Sequence, residues 1–165
     1  MAALTLQYGA LTTITITLSS LQNDAALSSG RQSAAIDNSS ICAVDYIVQG
    51  FISTGAAVTV QAKQVQVWAA SSNDGTNFVA GLTSADAARN VCGQKTNLKL
   101  LEAIPTTSTV SGTYRFGGYS IANAFRGVVP KYWALFVVQS TCQILFSTSG
   151  THEFSYLPVY YASTT

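Results

Sequence analysis

Residues 131–139, KYWALFVVQ, are the stretch that decides the fold. Its seven central residues are all apolar or aromatic, so neither face of the segment is polar. A short run of this kind, rich in aromatic and β-branched residues, is typical of a strand that is covered on both faces. The stretch therefore predicts a central β-strand.

Residues 12–18, TTITITL, show the clearest alternation in the chain. Thr alternates with Ile or Leu, which is the period of a half-buried strand, and the β-branched content agrees. Two arrangements stay open for this segment. It is the first strand of its own sandwich, or residues 1–20 form an arm whose free strand adds to the sheet edge of a neighbour.

Three longer strands are predicted elsewhere. Residues 41–52 place Val44, Tyr46 and Val48 on one face, and residues 57–69 alternate until the pattern shifts near residues 62–63. A shift of this kind indicates a bulge or a turn. A Tyr-rich strand at residues 153–161 closes the chain.

Shorter elements fill the rest of the chain. We predict a short strand at 32–37, a tight turn at 73–75, a short helix or long loop at 82–94, a strand or helix at 97–104 that Pro105 ends, a strand at 113–121 interrupted by Gly117 and Gly118, a helical turn at 122–126, and a strand at 142–147 beside the central strand.

This pattern favours a sandwich or a barrel, because about eight to ten short strands alternate with turn residues and at most one or two short helical turns. No Pro- or Gly-rich linker and no internal repeat divides the chain. Residues 1–165 are therefore predicted to form one all-β domain.

Charged residues are scarce: they make up 9% of the chain, against about 25% in ordinary globular proteins. A monomer of this size exposes roughly 7,800 Å². Its 15 charged side chains leave about one charge per 520 Å² of that area. Interface cores are depleted of charge, and a weakly charged monomer tends to associate, so this surface favours assembly with other protein copies. A secreted or glycan-binding β-domain is the alternative.

Composition argues against several partners. The net charge is +1 and the eight basic residues form no run, which predicts no nucleic-acid binding. No stretch approaches the ~20 apolar residues of a membrane helix, and the start of the chain does not resemble a signal peptide. Three cysteines, Cys42, Cys92 and Cys142, are an odd number, and we expect buried free thiols from a reducing cytoplasm.

The groups needed for catalysis are sparse. His152 is the only histidine, which is too few for a multi-His metal site, and it is interpreted as a structural residue. The acidic residues are scattered singly, no GxSxG motif is present, and turn chemistry explains residues 73–77 better than a calcium loop does. The sequence predicts no catalytic, cofactor-binding or metal-binding residue and no enzymatic activity.

Five stretches together resemble small virion proteins of tailed bacteriophages over roughly residues 40–160. They are VQVWAASSNDGTNF, TSADAARN, NLKLLEAIPTT, GGYSIANAFRGVVPKYWALFVV and EFSYLPVYY, at residues 65–78, 83–90, 97–107, 117–138 and 153–161. Proteins of this type are similar to capsid decoration or cement proteins. The resemblance implies a jelly-roll-like antiparallel sandwich and a homo-trimer or homo-dimer.

The expected function is therefore to bind and stabilise an assembled capsid lattice on the virion surface. The partner would be the major capsid protein, and assembly would take place in the host bacterial cytoplasm. A tail, baseplate or fibre protein and a carbohydrate-binding module are the alternatives. Candidate interface residues come from the alternating segment and the closing strand: Thr13, Ile14, Thr15, Ile16, Thr17, Tyr156, Tyr160 and Tyr161.

Overall fold

The computed structural model describes residues 3–54, 63–106, 112–142, 144–145 and 152–164. The one α-helix in these ranges is a single turn at Ile121–Ala124 (α1), and 3₁₀ turns lie at Val79–Gly81 and Lys95–Asn97. None of the described helices is long and apolar enough to cross a membrane. The strands are β1 (Ala3–Tyr8), β2 (Thr12–Thr13), β3 (Ser29–Gln32), β4 (Ile36–Asp37), β5 (Asp45–Ser53), β6 (Lys63–Ser72), β7 (Ala87–Asn90), β8 (Lys99–Thr106), β9 (Thr113–Ser120), β10 (Tyr132–Gln139) and β11 (Glu153–Thr164).

The strands form two antiparallel sheets. Sheet A has the order β1-β11-β5-β9, and β2 also pairs with β11. Sheet B has the order β7-β3-β10-β6-β8, and β4 also pairs with β10. The first strand pairs with the last, and β3 pairs with β10, the next to last. This nested pairing is the jelly-roll order, so the predicted all-β jelly-roll-like sandwich is confirmed.

The central strand β10 explains why residues 131–139 are apolar throughout. Trp133, Leu135 and Val137 belong to the core between the sheets. The alternate side chains, of which Phe136 is the largest, belong to a second core on the outer face of sheet B. Residues 78–98 cover that face with the side chains of Phe78, Ala80, Leu82, Val91 and Leu98. The prediction of a central strand is confirmed. The second apolar face of this strand packs beneath residues 78–98.

The alternating segment at residues 12–18 crosses from one sheet to the other. Only Thr12–Thr13 pairs as a strand, with β11. Ile14 N then donates to Phe154 O in sheet A at 2.7 Å, and Ala34 N donates to Thr15 O at 2.8 Å. The predicted period holds in burial, because Ile14 and Leu18 are buried while the Thr side chains are exposed. The segment is thus part of its own sandwich, but most of it forms no sheet ladder.

Pairing partners correct three of the local predictions. The predicted helix or loop at 82–94 contains a strand, β7, which pairs with β3. Pro105 does not end its segment but pairs with Gln64 inside β8. This is tolerated because β8 is an edge strand, where a missing N–H costs no ladder bond. The predicted strand at 32–37 is two short strands, β3 and β4.

Other boundaries also differ. The long strand predicted from residue 41 begins at Asp45, and the strand predicted from residue 57 begins at Lys63; residues 55–62 lie outside the described ranges. In β6 the register shifts between Val67 and Trp68. The predicted shift near residues 62–63 falls at the edge of the described ranges, which exclude residue 62. At residues 142–147, the described Leu145 bridges Thr54. It does not neighbour β10, because β3, β4 and β6 already occupy both edges of β10.

The turn predictions are confirmed. Gly117 and Gly118 form a bulge opposite Gln49, where two residues of β9 face one of β5. Gly118 has φ 76, which a residue with a side chain adopts at a cost. The predicted helical turn is α1, and Ser120 caps it by accepting a hydrogen bond from Asn123 N at 2.9 Å.

Asp86 attaches the alternating segment at residues 12–18 to sheet B. Its Oδ2 accepts hydrogen bonds from Thr17 N at 3.1 Å and Thr17 Oγ1 at 2.6 Å. Its Oδ1 pairs with Arg31 Nε at 2.5 Å. Burial alone would raise the pKa of Asp86, but the hydrogen bonds from Arg31 and Thr17 outweigh it and hold the pKa below its usual value. The charged carboxylate is therefore the form that stabilises the fold.

We expect Asp86→Asn to lower the free energy of unfolding at pH 7 by about 1–2 kcal/mol. The folded-state pKa lies below the unfolded value of about 3.9. The stabilisation is thus present above that value and is lost as the pH falls through the folded-state pKa. Urea unfolding at pH 7 and at about pH 2 measures the effect: the two proteins should differ at pH 7 and converge in acid. An equal difference at both pH values would contradict this role for the charge.

Candidate protein-binding surface

The two ends of the described chain form a ribbon. β1 pairs with the second half of β11, from Ala3 opposite Thr164 to Tyr8 opposite Val159. On its other side, β11 pairs with β5 only as far as Val159, opposite Asp45. Past that point β1 is the only strand that pairs with β11 within the described ranges. We call Ala3–Tyr8 and residues 159–164 the terminal ribbon.

One face of the terminal ribbon is apolar and exposed. Leu4, Leu6 and Tyr8 alternate along β1 and are 72%, 48% and 63% exposed. Tyr161 lies opposite Leu6 and is 59% exposed. Side chains directly opposite in an antiparallel pair share a face, so these four form one strip. None of them belongs to either core.

No described strand pairs with the outer backbone edge of β1. Gly9 N donates to Pro158 O at 2.8 Å, which makes Gly9 and Pro158 a hydrogen-bonded pair in the β1–β11 register. Because such pairs alternate along an antiparallel ladder, the backbone groups of Leu4, Leu6 and Tyr8 point away from β11. Proteins usually protect such an edge with Lys, Pro or a bulge. Residues 1–23 contain no charge and no proline.

Two loops add apolar side chains at the same end of the sandwich. Val44 N donates to Val159 O at 2.8 Å, at the base of the terminal ribbon. Ala122 N donates to Asp45 Oδ1 at 2.9 Å, and this brings in the loop that carries Val128. Ten large hydrophobic side chains are exposed among the described residues, and seven of them belong to the terminal ribbon and these two loops. They are Leu4, Leu6, Tyr8, Ile41, Val44, Val128 and Tyr161.

The structure divides the predicted interface residues among three places. Tyr160 and Tyr161 lie in the terminal ribbon. Thr17 is bound to Asp86, and Ile16 packs partly buried against the core. Thr13, Ile14, Thr15 and Tyr156 line a cleft of about 180 Å³ between the sheets, opposite residues 34–37. The side chain of Ile14 is buried in the core, so it offers no surface to a partner in this fold.

A second groove has a different character. It measures about 480 Å³ and lies between residues 17–24 and the strands β3 and β7. Its side chains are mainly hydroxyls and amides, with Asp24, Arg31 and Arg89 as the charged groups. No aromatic side chain lines it, so it lacks the stacking platform that a glycan-binding site would use. Hydrogen bonds from Ser28, Ser29 and Ala26 lower the pKa of Asp24 to about 2, so this carboxylate is committed to its own loop.

His152 and Asp74 take part in local hydrogen bonds. His152 Nδ1 accepts a hydrogen bond from Ser53 N at 3.2 Å. Asp74 binds Thr76 N, Asn77 N and Ser72 Oγ within its turn, and the bonds from Asn77 contribute most to lowering its pKa. No group of three or more His, Cys, Asp or Glu in the described ranges could hold a metal ion.

The cysteines correct an expectation. Cys42, Cys92 and Cys142 are free, as predicted, but all three are exposed rather than buried. Cys42 and Cys142 have positive φ values of 51 and 62. Their backbone conformation is that of a turn at the surface, which explains why neither side chain enters the core.

Leu4, Leu6 and Tyr8 were missing from the predicted interface residues. Their pattern was available, because ALTLQY at residues 3–8 alternates apolar and polar residues like the segment that follows it. Comparison with known proteins adds no family assignment: no family model matches the chain, no curated protein is similar to it, and no solved structure resembles it.

Proposed function

We propose that this chain is a structural protein of a bacteriophage virion that binds the assembled capsid lattice and stabilises it. The observation that carries the proposal is the apolar strip of the terminal ribbon, which has no partner in the described chain. The major capsid protein is the proposed partner, and the apolar end of the sandwich is the proposed contact. Exposed apolar patches rimmed by polar residues commonly mark protein–protein contacts.

Stabilisation follows from preferential binding. A protein that binds the assembled lattice but not separate capsid subunits shifts the equilibrium towards the lattice by mass action. Many copies on one particle multiply the effect. Because the apolar strip of the terminal ribbon contains no charged side chain, its binding depends on burial of apolar surface and not on ion pairs. Its affinity should therefore change little with salt, which screens interactions between charges.

A charge in the strip should weaken this contact. Tyr161→Glu places a carboxylate on the apolar face and leaves the outer edge of β1 intact. We expect its affinity for capsids to fall at least about tenfold, because a charge buried without a partner is costly. Sedimentation of the purified protein with capsids of the phage that encodes it measures the bound fraction.

Leu100→Glu is the matched control. Leu100 is also a half-exposed apolar residue, but it lies on β8 at the edge of sheet B. Its variant should bind like the unmodified protein. Equal binding by the Tyr161 variant would show that the strip is not the contact. Electron microscopy of the particle should place one set of copies on each capsomer, and a ring of copies confined to the tail would support the tail or baseplate alternative.

A further inference from the structure

We propose that two copies of this chain associate by antiparallel pairing of their β1 strands, about a two-fold axis at Leu6. The pairing uses the backbone edge of the terminal ribbon, whereas the proposed capsid contact uses its apolar face. It therefore does not depend on the proposed function. The result would be a four-stranded sheet, β11-β1-β1-β11, that is continuous across both copies.

The register follows from the backbone. Leu4, Leu6 and Tyr8 carry the outward-pointing N–H and C=O groups of β1, by the alternation set at Gly9 and Pro158. If Leu6 lies opposite Leu6 of the second copy, Leu4 lies opposite Tyr8 in both directions. All the outward groups then meet outward groups, so the three residues of each strand form hydrogen-bonded pairs. This register leaves none of these outward backbone groups unpaired.

The side chains fit the same arrangement. Each Leu4 faces a Tyr8 and the two Leu6 side chains face each other, all on one face of the new sheet. Such aliphatic–aromatic cross-strand pairs stabilise a sheet. The apolar strips of both copies become one surface. A second copy is thus complementary to β1 in both backbone and side chains.

Charge favours a second copy over an unrelated strand. A two-fold axis places every side chain near its own equivalent, so a charged residue close to the axis would repel itself. Residues 1–23 carry no charged side chain, and neither do residues 154–164 of β11. Nothing in the ribbon opposes self-association. Edge strands that must stay single usually carry a lysine or another charge for this purpose.

Stability also favours the pairing. An isolated two-stranded ribbon is marginal in water, whereas three or more strands with an apolar face are stable. The paired edge is only six residues long. A standard stable interface has roughly 20–30 residues per partner, so the contact between two β1 strands is small. The dimer should therefore depend on protein concentration in solution.

A charge exchange at the axis tests the proposal. Leu6→Lys and Leu6→Glu each place two like charges opposite one another in a homodimer. We expect each variant alone to raise the dimer dissociation constant at least about tenfold, because like charges are juxtaposed. A 1:1 mixture places Lys opposite Glu, and its dissociation constant should return to within about threefold of the unmodified value, since opposite charges pair across strands. Sedimentation velocity over a range of concentrations measures all four samples, without capsids.

Leu100→Lys and Leu100→Glu are the controls, because Leu100 is 47% exposed and Leu6 is 48% exposed. Neither control should change the dissociation constant. Three results would each overturn the proposal: an unmodified protein that stays monomeric at every concentration, Leu6 variants that still dimerise alone, or a mixture that fails to restore dimers. An unmodified protein that dimerises but does not bind capsids would instead count against the proposed function alone.

Discussion

Trp133→Ala should lower the free energy of unfolding by about 4 kcal/mol, in the middle of the range for aromatic truncations in cores. Trp133 in β10 is fully buried and packs across the space between the sheets. Its ring centroid lies 5.2 Å from that of Tyr46 in β5 and 5.9 Å from that of Tyr156 in β11. Removing the indole opens a cavity that both sheets line, so neither sheet can close it alone.

Two variants control this experiment, with urea unfolding as the measurement. Trp68→Ala removes the other tryptophan, which lies in β6 on the opposite face of sheet B and is only partly buried. Its loss should be about 2 kcal/mol or less, because less area leaves water. Trp133→Phe keeps a ring and removes an indole N–H without a hydrogen-bond partner in the described chain, so it should lose less than Trp133→Ala. If Trp133→Ala and Trp68→Ala lower the free energy of unfolding equally, the aromatic contacts between the sheets contribute no more to stability than a partly buried tryptophan does.

Gln32→Leu should cost about 3 kcal/mol, although it replaces a polar group in the interior by an apolar one of similar size. The Gln32 side chain is fully buried and all four of its hydrogen-bonding positions are occupied. Nε2 donates to Thr83 O at 2.7 Å and Ala85 O at 2.5 Å. Oε1 accepts from Thr83 N at 3.0 Å and Arg89 Nε at 3.1 Å. Leucine would leave these partners without their bonds.

The loss should be accompanied by local loosening of residues 83–86. Amide hydrogen exchange should therefore accelerate at Thr83 N before it does in β10, because the Thr83 amide loses its acceptor. Gln49→Leu is the control: Gln49 is exposed in β5, so its variant should unfold within about 0.5 kcal/mol of the original protein. Unchanged stability of the Gln32 variant would mean that residues 78–98, which cover the outer face of sheet B, are held there by their apolar side chains alone.

Hydrophobic patterning was sufficient for the main strands. In β10 the apolar side chains that the sequence places together, Trp133 to Val138, are the ones that the structure buries. The same holds for Ile14 and Leu18, although most of their segment pairs with no strand. Successive side chains of a strand point to opposite faces, so the alternation of buried and exposed residues can be predicted from a few neighbouring residues.

Pairing could not be predicted in the same way. Residues 87–90 have helix-compatible side chains, yet they form β7 because the edge of β3 is available beside them. Pro105 stays within β8 because no strand follows on its outer side. Both outcomes depend on segments more than 40 residues away, which no local pattern encodes.

For the candidate surface too, some properties follow from the sequence and others only from the tertiary structure. The scarcity of charge was a sequence property that already favoured contact with other protein copies. The residues of the proposed contact were decided by the tertiary structure: β11 continues past the end of its pairing with β5, so within the described ranges only β1 pairs with its last residues. The sequence by itself determined what each strand could bury, because burial follows from side-chain chemistry at short range. Only folding decided which apolar face and which backbone edge were left without a partner, because that depends on where distant strands end relative to one another.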